Sequence, residues 1–307
     1  MNGIDISVII PVKNGQRYLK SVLEAVFSQE INAKFEVIIV DSGSTDKTLN
    51  IIMQYQLTHY RIRETEFNHG LTRNFAISKS QGKYIILMNS DAIPYNNRWM
   101  ERLVSNLECD QRAAGVYSRQ VPHKESHPLT QVRVNRFFTS SKTRRESQID
   151  KIDDYEKLSP REKHRFCNFD NVSSCIRRDV WDKIPFPKTD FAEDLEWSES
   201  VLRAGHKIIY EPDSIVYHSH DFSIFDWYKK NRVNFNKLAS LFGLNNINNI
   251  YRLLAFFFIY TFRDIYFLYK DKRSFTAILS NIHLIPLYSF SGALGQYIGA
   301  KEAFHFK

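Results

Sequence analysis

ISVIIPVKNGQRYLKSVLEAVFSQEINAKFEVIIVDSGSTD, residues 6–46, decides the fold. Ile6–Val12 is a short β-branched run that stops at Lys13-Asn14-Gly15, the pattern of a buried strand ending in a loop. Tyr18, Leu19, Val22, Leu23 and Val26 then recur at helical spacing. Phe35–Val40 is a second apolar strand, and Asp41-Ser42-Gly43-Ser44-Thr45-Asp46 is a polar turn rich in helix N-cap residues. The alternation continues outward. Leu49, Ile52, Met53 and Tyr55 read as a helix, Tyr60–Glu64 as a weak strand, and Asn68-His69-Gly70 as the entrance to a helix carrying Leu71, Phe75 and Ala76. Tyr84–Met88 is a fourth buried strand that ends at Asn89-Ser90-Asp91. Strand and helix in alternation, with apolar strands, predict an α/β fold with a mostly parallel central sheet flanked by helices. Ligands of such sheets bind beyond the carboxyl ends of the strands, where Asn14, Asp41 and Asp91 all fall.

Residues 120–170 break the pattern. They are rich in Lys, Arg, His, Ser and Glu, and read as a long, partly helical excursion. Regular structure is expected again at Val172–Ile176, in a helix near Arg178–Lys183, and in a helix over Glu193–Ala204 that stops near Gly205. Lys207–Tyr210 and Ile215–His218 read as two short strands. From Asp226 the chain is helical, basic and aromatic, so residues 1–225 form the expected catalytic domain and 226–307 a helical extension. Tyr251–Tyr269 is apolar on nearly every face, yet its uncharged core between Arg252 and Arg263 is about half a membrane span. Residues 274–300 carry no formal charge but contain Asn281, His283 and Pro286. An interfacial helix pair on a membrane face fits these segments better than a spanning helix. A helical layer on the main domain, or on a dimer partner, is the other reading.

The chain has 307 residues and a net charge of +8, with 43% hydrophobic residues, which excludes a disordered chain. The pI near 9.2 points to an anionic partner without choosing among nucleotide, nucleic acid and acidic membrane. No RNP-like, zinc-finger or helix-turn-helix signature is present, so nucleic acid is not expected. Three cysteines without a CxxC pair exclude a disulfide framework and suit a reducing compartment. Residues 1–15 show no basic segment followed by an apolar one, so no secretory leader is expected.

Several side chains suit chemistry on a nucleotide. Asp91, just past a strand, can hold a divalent cation on a diphosphate, although such an Asp is more often a turn or cap residue. Asp41 can accept the imide N–H of uracil or thymine; the alternative is a helix N-cap. Glu193-Asp194 opens a helix, where acids suit the helix dipole and where one can also act as general base on an acceptor hydroxyl. His218 and His220 flank Ser219 at the end of the last core strand; one of them can ligate a metal or touch a diphosphate.

Taken in order, IPVKN, VDSGSTD, FNHGLTRN, NSDA, AED and a late His form a constellation over roughly residues 5–222 that resembles family-2-type inverting glycosyltransferases of the GT-A fold. The resemblance implies a nucleobase-binding role for Asp41, the second acid of a D-x-D metal motif for Asp91, and the catalytic base for Asp194, with Glu193 the next candidate. It implies nucleotide-sugar contacts for Pro11, Val12, Asn14, Ser90 and Arg73, and a metal site of Asp91, Asn89 and His218. Asn89 stands where the family has the first acid of D-x-D, so Mg²⁺ or Mn²⁺ dependence is expected to be weakened. IPVKNG, FNHGLTRN and the Asp-Ala-x-Pro after the strand look like bacterial rhamnosyltransferases. These imply a dTDP-sugar donor, with UDP-sugar the alternative, and a glycan or polyprenyl-diphosphate-linked acceptor in cell-surface polysaccharide synthesis. The implied place is the cytoplasmic face of the inner membrane, as a peripheral protein, with a homodimer open. The rival readings are a non-catalytic glycan- or nucleotide-binding protein on the same fold, and a nucleotidyltransferase, for which Asn14-Gly15-Gln16-Arg17 is a poor triphosphate loop.

Overall fold

The computed structural model describes residues 3–189, 191–270 and 283–305. Its contacts fall into two compact units, the first made of Met1–Val121, Thr139–Glu156 and Cys167–His218, the second of Pro122–Phe138, Lys157–Phe166 and Ser219–Lys307. The second unit thus joins the C-terminal region from Ser219 with two segments of the basic excursion.

The first unit is built on one sheet. β1 (Ile6–Val12), β2 (Phe35–Asp41), β3 (Thr58–Arg61) and β4 (Tyr84–Met88) are parallel, in the order β3-β2-β1-β4. The weak strand lies two residues before its expected start at Tyr60. β5 (Ile93–Pro94), β6 (Ala113–Val121), β7 (Arg145–Gln148), β8 (Ser173–Arg177) and β9 (Lys207–Tyr217) extend the sheet. β8 enters antiparallel between β4 and β6, β9 runs parallel to β6, and β5 and β7 pair antiparallel with β9. The sheet is thus parallel through its first four strands and mixed beyond them.

β9 is one strand where two short ones were expected. Glu211 pairs with Ser118 and Ile215 with the next residue, Arg119, so the chain around Pro212 bulges out of register. Proline has no N–H for a ladder, and a bulge is where a sheet tolerates it. The middle of the sheet buries serines. Trp99 Nε1 donates to Ser173 Oγ (2.9 Å), and Ser118 Oγ lies 2.7 Å from Ser173 Oγ and 2.9 Å from Ser214 Oγ. Each hydroxyl is thereby satisfied away from water.

The helices of this unit are α1 (Leu19–Phe27), α2 (Thr48–Ile52), α3 (His69–Ser78), α4 (Trp99–Cys109), α6 (Ile152–Glu156), α8 (Arg178–Trp181) and α9 (Glu193–Arg203). α1 buries Leu19, Val22, Leu23 and Val26 against Val8, Ile10 and Ile86 of the sheet. Cys167 and Cys175 are buried thiols and Cys109 an exposed one, none of them in a disulfide.

The second unit is helical: α5 (Pro128–Asn135), α7 (Pro160–Phe166), α10 (Ile224–Phe242), α11 (Ile250–Lys270) and α12 (Leu284–His305). α12 packs backbone to backbone on α10. A Cβ on Gly295 would lie 2.5 Å from the Tyr228 carbonyl oxygen, and one on Gly299 2.0 Å from that of Arg232. The small residues of residues 274–300 thus serve close helix packing, while residues 274–282 lie outside the described residues. Among the described residues no helix is long and apolar enough to cross a membrane.

Candidate active site

Parallel strands end on one edge, so the loops after β1, β2 and β4 converge there. Two of them are stitched together. Asn14 adopts φ 51°, a left-handed conformation that Asn tolerates better than most residues. Its N–H donates to Ser44 Oγ (2.8 Å), and its side-chain oxygen accepts from the Thr45 N–H (2.9 Å). The Gly15 N–H donates to Thr48 Oγ1 (2.8 Å) and the Gln16 N–H to Asp46 (3.1 Å).

Beside these loops lies a cleft of about 540 Å³. Of the expected site residues, Pro11, Val12, Asn14, Arg73, Asn89, Ser90 and Asp91 line it. Residues that the sequence reading did not single out line it too: Lys13, Arg17, Tyr18, Glu64, Phe67 and His69. Lys13 and Glu64 form an ion pair there.

Asp41, Glu193, Asp194 and His218 are not among its lining residues, although Ser42, the neighbour of Asp41, is. Asp41 is fully buried, and its carboxylate accepts the Ser44 N–H (3.0 Å) with Arg61 Nε 3.6 Å away. It closes its own turn and does not cap α2, the alternative read from the sequence; there Asp46 accepts the Thr48 N–H (3.0 Å).

Asn89 Oδ1 accepts from Arg73 Nη2 (3.2 Å), so the amide in the first D-x-D position is engaged by a cation of the protein. Arg73 is buried and pairs with Glu193 (2.9 Å), leaving its Nε without a partner among the described residues. Asn171 clasps both acids of the next motif. Its side-chain amide donates to Glu193 Oε1 (3.1 Å) and its backbone N–H to Asp194 Oδ2 (3.1 Å). One network therefore runs Asn89–Arg73–Glu193–Asn171–Asp194, from the end of β4 to the first turn of α9. The residue before α9, Ala192, has φ 57°, a strained left-handed conformation for a residue with a Cβ.

The two acids titrate in opposite directions. Burial alone would raise Glu193, but the Arg73 guanidinium, then His69, hold it below the usual carboxylate range. Burial, then the Glu193 charge and that of Asp170, push Asp194 well above that range. Glu193 is therefore the partner that holds its charge, and Asp194 is the one of the two that binds a proton more readily.

α3 holds the loop that delivers α9. Asn68 Oδ1 caps the helix by accepting the Leu71 N–H (3.1 Å), while Asn68 Nδ2 donates to the Thr189 carbonyl (2.9 Å). Asn74 exchanges two hydrogen bonds with the Phe186 backbone (2.8 and 3.1 Å). A Cβ on Gly70 would lie 2.1 Å from the Pro187 carbonyl oxygen. Gly70→Ala is expected to cost ~1–3 kcal/mol, the scale of an overpacked contact. A denaturant midpoint equal to wild type would contradict this.

His218, just past β9, points Nε2 toward Asp91 Oδ1 at 3.7 Å. Its Nδ1 meets Gln120 Oε1 at 2.9 Å, and Gln120 Nε2 donates to Asp170 Oδ2 (2.6 Å). The Asp170 carboxylate orients the amide, the amide oxygen takes the Nδ1 proton, and Nε2 keeps its lone pair on the Asp91 side. A carboxylate oxygen and an imidazole nitrogen at this separation fit one divalent ion with bonds of roughly 2.1 Å. Gln120 and Asp170 escaped the sequence reading because they stand at the two ends of the stretch read as an excursion, and Asn171 because it lies in the short gap before the expected strand at Val172.

Comparisons with known proteins give the family. The sequence profile of the family described as "Glycosyl transferase family 2" matches residues 7–163. The O-antigen chain rhamnosyltransferase RfbN of Salmonella typhimurium is 32% identical over 222 residues, which is 71% of this chain and 67% of the relative. WbaN of Salmonella anatum, of the same description, is 30% identical over 220 residues, with the same coverages. Among solved structures, a mannosyltransferase from Pyrobaculum calidifontis in complex with GDP-Man and Mn²⁺ superimposes with TM-score 0.59 at 16% identity, covering 98% of this chain and 87% of that one. S. aureus TarS (residues 1–349) gives 0.52 at 15% identity, covering 99% and 92%. With the profile over half its length and relatives at this identity, the chain belongs to glycosyl transferase family 2 and has its GT-A fold.

Proposed function

We propose that this glycosyltransferase moves L-rhamnose from dTDP-L-rhamnose, with inversion, onto a hydroxyl of a cell-surface glycan or lipid-linked saccharide. The observation that carries the proposal is the buried network from Asn89 to Asp194, which ties a diphosphate-facing strand end to a carboxyl group of raised pKa. The two Salmonella relatives supply the sugar in this reading.

Asp194 takes the proton of the acceptor hydroxyl as its oxygen attacks the anomeric carbon. The carbon–oxygen bond to the diphosphate breaks on the opposite face, and dTDP leaves. The Asn14 and Ser42 loops hold the nucleotide, and Arg73, already buried and neutralised, keeps Glu193 from competing for the proton. Asp91 and His218 would hold a divalent ion, which when bound would supply charge neutralisation for the leaving diphosphate. The imidazole ligand favours Mn²⁺ over Mg²⁺, which prefers oxygen.

A thermal-shift panel of dTDP-, UDP- and GDP-sugars with Mn²⁺ tests the donor, since stabilisation grows logarithmically with ligand over Kd. dTDP-rhamnose is expected to give the largest shift; a larger one from a GDP-sugar rejects the donor. Gln120→Leu frees the imidazole tautomer and is expected to weaken Mn²⁺ binding by ~10–100-fold, the usual scale for an outer-shell partner. Mn²⁺ titration by EPR reads this directly, and unchanged affinity places the ion elsewhere.

A further inference from the structure

α11 is inverted relative to a helix that faces water. Its inner side carries the charge. Asp264 is fully buried and accepts from Arg133 Nη2 (2.8 Å) on α5 and from Arg263 Nη2 (3.0 Å). Thr261 is buried as well and donates to the Phe257 carbonyl (2.8 Å).

The outer side carries Tyr251, Leu254, Phe258, Phe262, Tyr266 and Tyr269, with Tyr251 80% and Phe262 67% exposed. These recur every three or four residues along 21 residues of helix, so they form one stripe. With half to four-fifths of each side chain exposed, and roughly 150–250 Å² per aromatic, the stripe reaches the upper end of the apolar patches that ordinary monomers show. The exposed cations of the helix, Arg252 and Lys270, stand at its two ends.

Charge selects the occupant. Residues 219–307 hold eleven Lys and Arg against five Asp and Glu, six of the chain's eight excess positive charges. On α11 itself the exposed charged residues, Arg252 and Lys270, are both cationic, so a second copy would bring like charges together. An anionic headgroup layer complements it, and accepts Tyr and Phe at the same depth.

We infer that the outer face of α11 docks on an anionic lipid surface, with the helix lying in the headgroup region and Arg252 and Lys270 pairing with phosphates at its ends. The helix inserts its stripe without crossing, since it is not apolar enough to span the hydrocarbon core. The inference goes beyond the proposed reaction and needs neither its donor nor its acceptor.

The test is flotation of the full chain with phosphatidylcholine vesicles, with and without phosphatidylglycerol. Wild-type protein should float with the anionic vesicles and lose that binding as salt is raised. Phe258→Glu/Phe262→Glu should lower the bound fraction at least ~10-fold. Its nucleotide thermal shift should stay at the wild-type value, which shows that the fold and donor site persist. If the wild type does not float, or the double variant floats equally well, the inference is wrong. If sedimentation shows a wild-type dimer that the double variant splits into monomers, the stripe belongs to a second copy and the lipid assignment falls.

Discussion

Asp194→Asn is expected to lower kcat by at least ~10²-fold, the scale of losing general-base help, while donor affinity stays near wild type. The reason lies in the pair at the start of α9. Glu193 is committed to Arg73 and Asn171, whereas Asp194 accepts only the backbone N–H groups of Asn171 and Leu195 among its described hydrogen bonds. An amide at 194 keeps the shape and loses the proton acceptor. The pH profile carries a second signature. The base acts only when ionised, and burial together with Glu193 raises its pKa. The acid limb of kcat/KM should therefore lie at higher pH than for an ordinary carboxylate. Glu193→Gln removes the neighbouring negative charge and leaves Arg73 free to favour the Asp194 anion, so the limb should move to lower pH. If Glu193→Gln abolishes turnover and Asp194→Asn spares it, the base is Glu193.

The other large effect is on stability. Arg73→Met should destabilise the protein by about 3–5 kcal/mol, because it strands the Glu193 charge in a buried site. The side chains of both partners are almost wholly shielded from water. Urea midpoints compare this variant with wild type and with Arg73→Met/Glu193→Leu. The double variant should recover much of the loss, since a packed apolar pair replaces a buried ion pair at little cost. An Arg73→Met midpoint within error of wild type would show that water reaches Glu193. Acidification should weaken the same contact. The folded pKa of Glu193 is depressed, so its contribution is complete above the unfolded pKa and is lost as pH falls through the folded one, below the usual glutamate range.

What the sequence made legible follows from where local physics is sufficient. β1, β2 and β4 are continuous apolar runs, and apolar runs between polar turns leave few other choices. The Asn68 cap of α3 was readable for the same reason. β7 was not: Arg145–Gln148 is polar, and pairing at the edge of the sheet, helped by Glu146 to Lys207 (2.9 Å), makes it a strand. β9 was split in the reading because Pro212 looks like a terminator until β6 is there to receive the bulge. At the site, the acids could be read by motif but their partners could not. Nothing near Asn171 in sequence says that it will touch Glu193 and Asp194, and only the antiparallel insertion of β8 brings it there. Asp41 shows the converse, since its nearest hydrogen bond is the local one to Ser44.

The three thiols give the chain a built-in reporter of its own opening. Cys109, at the exposed end of α4, is the natural attachment point for a maleimide dye in the folded enzyme. Cys175 sits at the centre of β8, hydrogen-bonded in ladders on both sides, and burial pushes its thiol pKa far up. Its alkylation rate therefore counts the moments at which the middle of the sheet comes apart, and a bound nucleotide sugar should slow that clock without altering the labelling of Cys109.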